Sequence, residues 1–231
     1  MVLNNFRYLL PKFVNGPSRW CIKKKITPNQ LSLFGFILSV LAGVAFAFPN
    51  VFLYNYSYIT NNIWWWWACV PPWLFFISGY IDVLDGTVAR NSGMVSKYGA
   101  FLDSTLDRIA DAVSLIGLMV GGIIWPWDKT INYLIGFISL TIILMISYTR
   151  SRAEIEGLSM KGIGFMERAE RFFILIFIYV IEWAVFAIEE KFGNGHQTLW
   201  VFPVLFLIYT AFCTLTLIQR ILFSYKNLQK I

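Results

Sequence analysis

The sequence predicts an all-α integral membrane protein, with six transmembrane helices preceded by an N-terminal amphipathic juxtamembrane helix and both termini in the cytoplasm. Three observations carry this. Hydrophobic residues fill 58% of the 231 positions and charged ones only 14%, outside the usual balance of a soluble domain. Six apolar runs recur, each near the roughly 20 residues that a bilayer requires. The 19 Lys and Arg residues gather at alternate ends of those runs.

Residues 1–30 hold charges and Pro17 but no apolar run of the signal-peptide kind. Phe6, Leu9, Leu10, Phe13 and Val14 recur at helical spacing around Arg7 and Lys12, so this segment reads as a cytoplasmic amphipathic helix lying on the inner leaflet. Lys23, Lys24 and Lys25 would draw anionic headgroups, each worth about 1 kcal/mol. Residues 31–231 read as one transmembrane domain with spans Leu31 to Pro49, Ile63 to Ile81, Ile109 to Trp125, Ile131 to Tyr148, Phe172 to Ile188 and Leu199 to Ile218. The third is short unless it begins near Phe101. Glu182 interrupts the fifth, and an acid at that depth is expected to face the bundle interior or a polar cavity.

Six basic residues precede residue 31, three lie from Arg90 to Arg108, five from Arg150 to Arg171 and three after Ile218, which leaves only Lys129 and Lys191 on the other side. The positive-inside rule therefore puts both termini in the cytoplasm, together with the loops after the second and fourth spans. This orientation accounts for the net charge of +6, and no nucleic-acid motif is present. Cys21, Cys69 and Cys213 have neither metal-site spacing nor an even count and read as packing residues or free thiols. Trp64 to Trp67 read as an interfacial belt at the outer face, and His196 as a solvated outer-loop residue.

The segment carrying chemistry runs from Asp82 to Asp107. Asp82, Asp85, Gly86, Ala89, Arg90, Gly99, Asp103 and Asp107 stand at the ends of two adjoining apolar stretches. Asp82 and Asp85 are i, i+3 and Asp103 and Asp107 are i, i+4, so on two helices each pair shares a face and both pairs converge on one point. Four carboxylates so placed repel one another and resist leaving water. A divalent cation removes that cost, and oxygen-only donors select Mg²⁺ or Mn²⁺. The glycines let backbone approach a ligand, Ala89 keeps the face of Asp85 clear, and Arg90 supplies a planar donor fork suited to phosphate. Asp111 continues the stripe one turn deeper, as a supporting or helix-pairing residue or as a ligand.

This motif resembles the signature of the CDP-alcohol phosphotransferases, membrane enzymes that move a lipid phosphate from a CDP-linked donor to an alcohol and release CMP. Thr27, Pro28 and Asn29 also resemble that family's lead-in to its first span, so the similarity extends over nearly the whole chain. The resemblance implies two metal ions, Mg²⁺ or Mn²⁺, held by Asp82, Asp85 and Asp103, with Asp107 completing the metal site and acting as general base. Gly86, Ala89, Arg90, Gly99 and Asn29 would hold the CDP moiety. It also implies membrane-lipid contacts and a homodimer.

Arg150 and Arg152 end the fourth span, Arg171 opens the fifth and Arg220 closes the sixth, all at the level of the Asp motif. A neutral alcohol does not need so many guanidinium groups, whereas an acceptor bearing a phosphate does. These segments resemble the bacterial phosphatidylinositol phosphate synthases and the archaetidylinositol phosphate synthases. The resemblance implies an inositol phosphate acceptor whose phosphate is bound by Arg150, Arg152, Arg171 and Arg220, with Arg150 standing where Lys is frequent. Arg168, Glu154, Glu167 and Glu170 are expected to form salt bridges that shape the pocket. The donor this resemblance implies is CDP-diacylglycerol or CDP-archaeol, between which apolar grooves discriminate loosely. The competing acceptor is glycerol 3-phosphate, used by phosphatidylglycerophosphate synthases. A remoter alternative is a divalent-cation transporter, which would move metal into liposomes with no CDP-lipid present.

Overall fold

The computed structural model describes residues 6–54, 65–192 and 200–229, and among these every regular element is a helix. Helix α1 spans Phe6–Lys23, α2 Pro28–Phe46, α3 Val70–Ser92, α4 Lys97–Val120, α5 Lys129–Ile155, α6 Arg168–Phe192 and α7 Val201–Leu228. A single turn at Pro49–Phe52 follows α2, and a 3₁₀ segment, Trp65–Cys69, leads into α3. Trp64, His196 and the expected starts of the second and sixth spans, Ile63 and Leu199, lie outside the described residues.

Among the described residues, five helical stretches are long and apolar enough to cross a membrane: Pro28–Phe46, Trp67–Ser92, Lys129–Ile155, Arg168–Glu189 and Val201–Leu228. The chain is an integral membrane protein. The expected third span, Ile109 to Trp125, overlaps only the second half of α4, which begins at Lys97 and runs for 24 residues, about 36 Å at 1.5 Å per residue. Asp103, Asp107, Arg108 and Asp111 lie along it, and it is not among the five apolar stretches.

The helices outrun their apolar cores because polar residues begin them. Thr27 caps α2 through a reciprocal box, its Oγ1 accepting from Gln30 N while its own N–H donates to Gln30 Oε1, and Pro28 sits at the first helical position. Ser96 Oγ accepts from Gly99 N at 2.9 Å and Asp128 Oδ1 from Ile131 N at 2.8 Å. Helix α3 ends at Gly93, whose φ of 72° favours glycine.

Helix α1 is two-faced. Val14, Ser18 and Cys21 are buried at i, i+4, i+7 spacing, Val14 and Cys21 packing with Ile81, Leu84 and Val88 of α3, while Phe13 and Trp20 point outward. Tyr80 Oη donates to Phe13 O and Asn91 Nδ2 to Ser18 Oγ, tying α1 to α3 by polar contacts as well. Helix α2 packs most extensively on α3 and α4, α3 touches α6, and α7 closes against α5 and α6. A core of Phe46, Phe75, Phe172 and Tyr179 joins α2, α3 and α6, with Phe75 and Phe172 stacked at 4.1 Å.

The α2–α4 crossing depends on glycine. A Cβ on Gly117 would stand 2.0 Å from Gly43 O, and one on Gly43 2.6 Å from Val113 Cγ1, so only hydrogen fits on either side. Gly117→Ala should therefore destabilise the protein by about 1–3 kcal/mol, seen as a lower Tm by intrinsic tryptophan fluorescence in detergent. Gly16→Ala, whose Cβ would meet nothing within 4 Å, should leave Tm unchanged or slightly raised. Equal Tm values for the two variants would contradict this account of the crossing.

Candidate active site

Asp82 and Asp85 lie on the last turns of α3 and Asp103 and Asp107 on the first turns of α4, joined by the short link 93–96. Because α3 and α4 both pack on α2, their motif faces close on one space lined by Asp82, Asp85, Asp103, Asp107, Ser32, Gly35, Ser39 and Ser78. Carboxylate oxygens of Asp82, Asp103 and Asp107 all lie within 4.8 Å of one another. The expected convergence is therefore found for three of the acids. Asp85 lines the same space but is 5% exposed, and its Oδ2 accepts a short hydrogen bond from Ser32 Oγ of α2.

The space is small and lined mainly by acidic and hydroxyl side chains. Its donors are hard oxygens set on rigid helices, a set that fits Mg²⁺ or Mn²⁺. Aliphatic Leu106 and Ala110 wall it on the α4 side.

The residues expected around CDP fall at the same ends of the same helices. Asn29 on the first turn of α2 and Gly99 on the first turn of α4 face each other so closely that a Cβ on Gly99 would meet Asn29 Oδ1 at 3.3 Å. Gly86 leaves room for the Arg90 guanidinium, which would be 3.4 Å from a Cβ there, and Arg90 Nη2 donates to Thr87 Oγ1 at 3.2 Å. Ala89 is half-buried one turn beyond Asp85, and Arg90 is exposed.

The four candidate acceptor arginines divide into two kinds. Arg171 and Arg220 are 5% and 4% exposed. Arg171 Nη1 donates to Ile143 O at 3.4 Å; Arg220 donates to Ile146 O through Nη1 at 2.7 Å and to Ile163 O through Nε at 3.0 Å. Ile143 and Ile146 are adjacent along one face of α5, and Arg150 follows one turn later, within electrostatic reach of Arg220. Arg150 pairs with Glu154 and Arg152 with Glu156, both on the exposed side of α5.

The salt-bridge expectation for Arg168 holds, but its partners are the motif's own acids. Its Nη1 reaches Asp82 Oδ2 at 3.0 Å and its Nη2 reaches Asp107 Oδ1 at 2.7 Å, so a guanidinium from α6 bridges α3 and α4. Arg108 Nη1 approaches the other Asp107 oxygen at 3.6 Å. Glu170 instead turns back to accept from Glu167 N, and Glu154 is spent on Arg150. Nothing in the local spacing of Ser32 distinguishes it from Ser39, the other serine of α2.

This geometry coincides with what comparison finds. Residues 25–214 match the model for CDP-alcohol phosphatidyltransferases. The chain belongs to that family. It is accordingly a membrane phosphotransferase that works with a divalent cation. The archaetidylinositol phosphate synthase of Pyrococcus horikoshii is 40% identical over 153 residues, 66% of this chain and 68% of that protein. That of Methanothermobacter thermautotrophicus is 30% identical over 228 residues, 99% of this chain and 96% of that one. The phosphatidylinositol phosphate synthase of Mycobacterium tuberculosis with CDP-DAG bound superposes with a TM-score of 0.69 at 23% identity, covering 93% of this chain and 94% of that one. The same enzyme with manganese and citrate gives 0.68 at 23% identity, over 92% and 88% of the two chains.

Equilibrium Mn²⁺ binding to the purified protein should weaken at least about tenfold in Asp82→Asn and in Asp103→Asn, because each supplies an oxygen to the cluster. Asp111→Asn, outside that group of three, should bind Mn²⁺ as the parent does. Equal losses in all three variants would mean that overall negative charge, not this cluster, holds the ion.

Proposed function

We propose that this chain transfers the lipid phosphate of a CDP-linked lipid, CDP-diacylglycerol or CDP-archaeol, to a hydroxyl of inositol phosphate with release of CMP. The reaction runs at the cytoplasmic face of the cell membrane, in a homodimer whose subunits each cross six times with both termini inside. The supporting observation is the run of cationic side chains beside the Asp cluster, with Arg171 and Arg220 buried and Arg150 in reach of Arg220. Buried guanidinium groups are costly without acidic or anionic partners, and their bonds here go to backbone carbonyls. An acceptor that carries its own phosphate supplies the missing charge, whereas free inositol or serine does not.

In this mechanism Asp82, Asp85 and Asp103 hold two Mg²⁺ or Mn²⁺ ions and Asp107 completes their site. When bound, such ions neutralise the donor pyrophosphate and stabilise the departing CMP. The protein's part is positioning. Asn29, Gly86, Ala89, Arg90 and Gly99 seat the CDP moiety between the starts of α2 and α4 and the end of α3. Asp107 accepts the proton of the acceptor hydroxyl as its oxygen attacks the lipid-side phosphorus. Arg150, Arg152, Arg171 and Arg220 hold the acceptor phosphate and so fix which hydroxyl is presented.

Incubating the purified protein, Mg²⁺ and either CDP-lipid with inositol phosphate, glycerol 3-phosphate, inositol or serine should release CMP fastest with inositol phosphate. Faster release with glycerol 3-phosphate would reassign the acceptor. Asp107→Asn should abolish turnover while CDP-lipid binding persists, and Asp85→Asn should weaken metal and CDP binding together; equal loss of donor binding would refute this division.

Arg171→Ala or Arg220→Ala should raise the inositol phosphate KM by roughly ten- to a hundredfold, through loss of charge-assisted hydrogen bonds worth about 1.5–3 kcal/mol. Arg150→Ala and Arg152→Ala should raise it less, since both side chains are about half exposed and already paired. The donor KM should stay put. An unchanged acceptor KM in all four variants would make these arginines topogenic only.

A further inference from the structure

Arg168 stands at a junction. Two of its nitrogens are committed to Asp82 and Asp107, while its Nε is buried with no hydrogen-bond partner. The side chain lines two cavities at once. One is the Asp cluster; the other, deeper between α3, α4, α5, α6 and α7, is bounded by Asp111, Ser114, Arg171 and Tyr209. Arg171 is one helical turn beyond Arg168 on α6, so the same face that reaches the carboxylates also carries a proposed acceptor ligand.

We propose that Arg168 is an exchangeable internal cation, which competes with the divalent ions for Asp82 and Asp107 and, when displaced, turns its guanidinium to the acceptor's phosphate beside Arg171. The proposal rests on the catalytic reading above. Asp82 Oδ2 and Asp107 Oδ1 are the oxygens that Arg168 holds, and both acids also contribute to the group whose oxygens fall within 4.8 Å. A guanidinium and a divalent ion cannot share those positions, because like charges a few ångströms apart repel in a partly buried site. A purely structural ion pair would satisfy the arginine's donors, yet the Nε–H is left over. A phosphate oxygen is the acceptor that a displaced fork with a spare donor suits, and Arg171 already marks where such an anion is drawn. Metal loading and acceptor binding are thereby coupled, and by linkage each strengthens the other.

The sign of one measurement separates this role from a scaffolding one. Mn²⁺ binding to the full chain in detergent is read from the electron paramagnetic resonance signal of free Mn²⁺, with no substrate present. Removing a competitor should tighten binding, so Arg168→Gln is expected to bind Mn²⁺ about tenfold more tightly than the parent, the equivalent of one charge-assisted hydrogen bond no longer opposing it. Arg168→Lys, which keeps the charge but loses the fork, should fall between the two. Adding inositol phosphate, corrected for its own chelation, should tighten Mn²⁺ binding in the parent and have no such effect in Arg168→Gln. Equal or weaker Mn²⁺ binding in both variants overturns the proposal and makes Arg168 a strut for the carboxylates. Should Arg168→Gln fail to fold, Arg168→Lys decides alone by the same sign. A parent chain that binds no Mn²⁺ would instead overturn the catalytic reading on which the proposal stands.

Discussion

The constraint on which the rest of the structure depends is negative charge held where water is scarce. Oxygens of Asp82, Asp103 and Asp107 sit within 4.8 Å of one another. Ionised carboxylates at such a separation repel by about 3–4 kcal/mol per pair at an effective dielectric near 20. The scaffold resists that repulsion by packing helices as well as by pairing acids with arginines. Helix α2 is the wedge: it takes α4 to backbone contact at Gly43 and Gly117, seats Ile81 of α3 against Gly35, and lends Ser32 to Asp85. With α3 and α4 fixed on α2, the acids cannot relax apart. Arg168 and Arg108 offset part of the charge, and the remainder is what makes the site select divalent cations.

The acid at the far end of the bundle shows what a carboxylate without chemistry looks like. Glu182 is 2% exposed, accepts from Tyr54 Oη at 3.0 Å, and accepts from Phe202 N at 2.8 Å. It thus satisfies an orphan N–H on the first turn of α7 and lies in the field that favours an anion at a helix N-terminus. Both of its oxygens are used by groups fixed in the fold. The sequence required Glu182 to face inward, as it does, but its partners lie 128 residues before it and 20 after it along the chain, beyond any local pattern.

Legibility in the sequence followed range. Helix spans, the Asp82–Asp107 spacing and the two-faced α1 were readable, because each is set by residues within a few turns of one another. The ends of α3 and α4 were less so: hydropathy stops at Ile81 and resumes at Ile109, yet α3 continues to Ser92 and α4 starts at Lys97. Hydrogen bonding within the helix, the Ser96 cap and the Gly93 stop decide those boundaries, and an apolar count is blind to all three. Arg168, Ser32 and the Gly43–Gly117 crossing were out of reach as contacts, since each depends on which helices meet. Arg168 was expected to form a salt bridge, but spacing alone offered the nearby glutamates of its own segment as partners. The fold gave it Asp82, 86 residues away.

The two kinds of arginine follow from the same accounting. Arg150 and Arg152, about half exposed and each paired four residues on with a glutamate, are solvated cations whose pairs contribute little to stability, and water stands ready to replace any partner they lose. Arg171 and Arg220 have no such reserve. Each hydrogen-bonds to neutral α5 carbonyls and makes no direct ion pair among the described residues, although Glu154 and Glu167 lie within electrostatic reach of Arg220. A guanidinium does not deprotonate to escape burial, which means that the positive charge persists whatever else happens in the pocket. Two fixed cations tied to one face of α5, beside a cluster of carboxylates that itself draws cations, produce opposite potentials only a few side chains apart. A small molecule that fills such a place must present an anion to one end and a reactive hydroxyl to the other, and this is the shape of a phosphorylated polyol rather than of a plain alcohol.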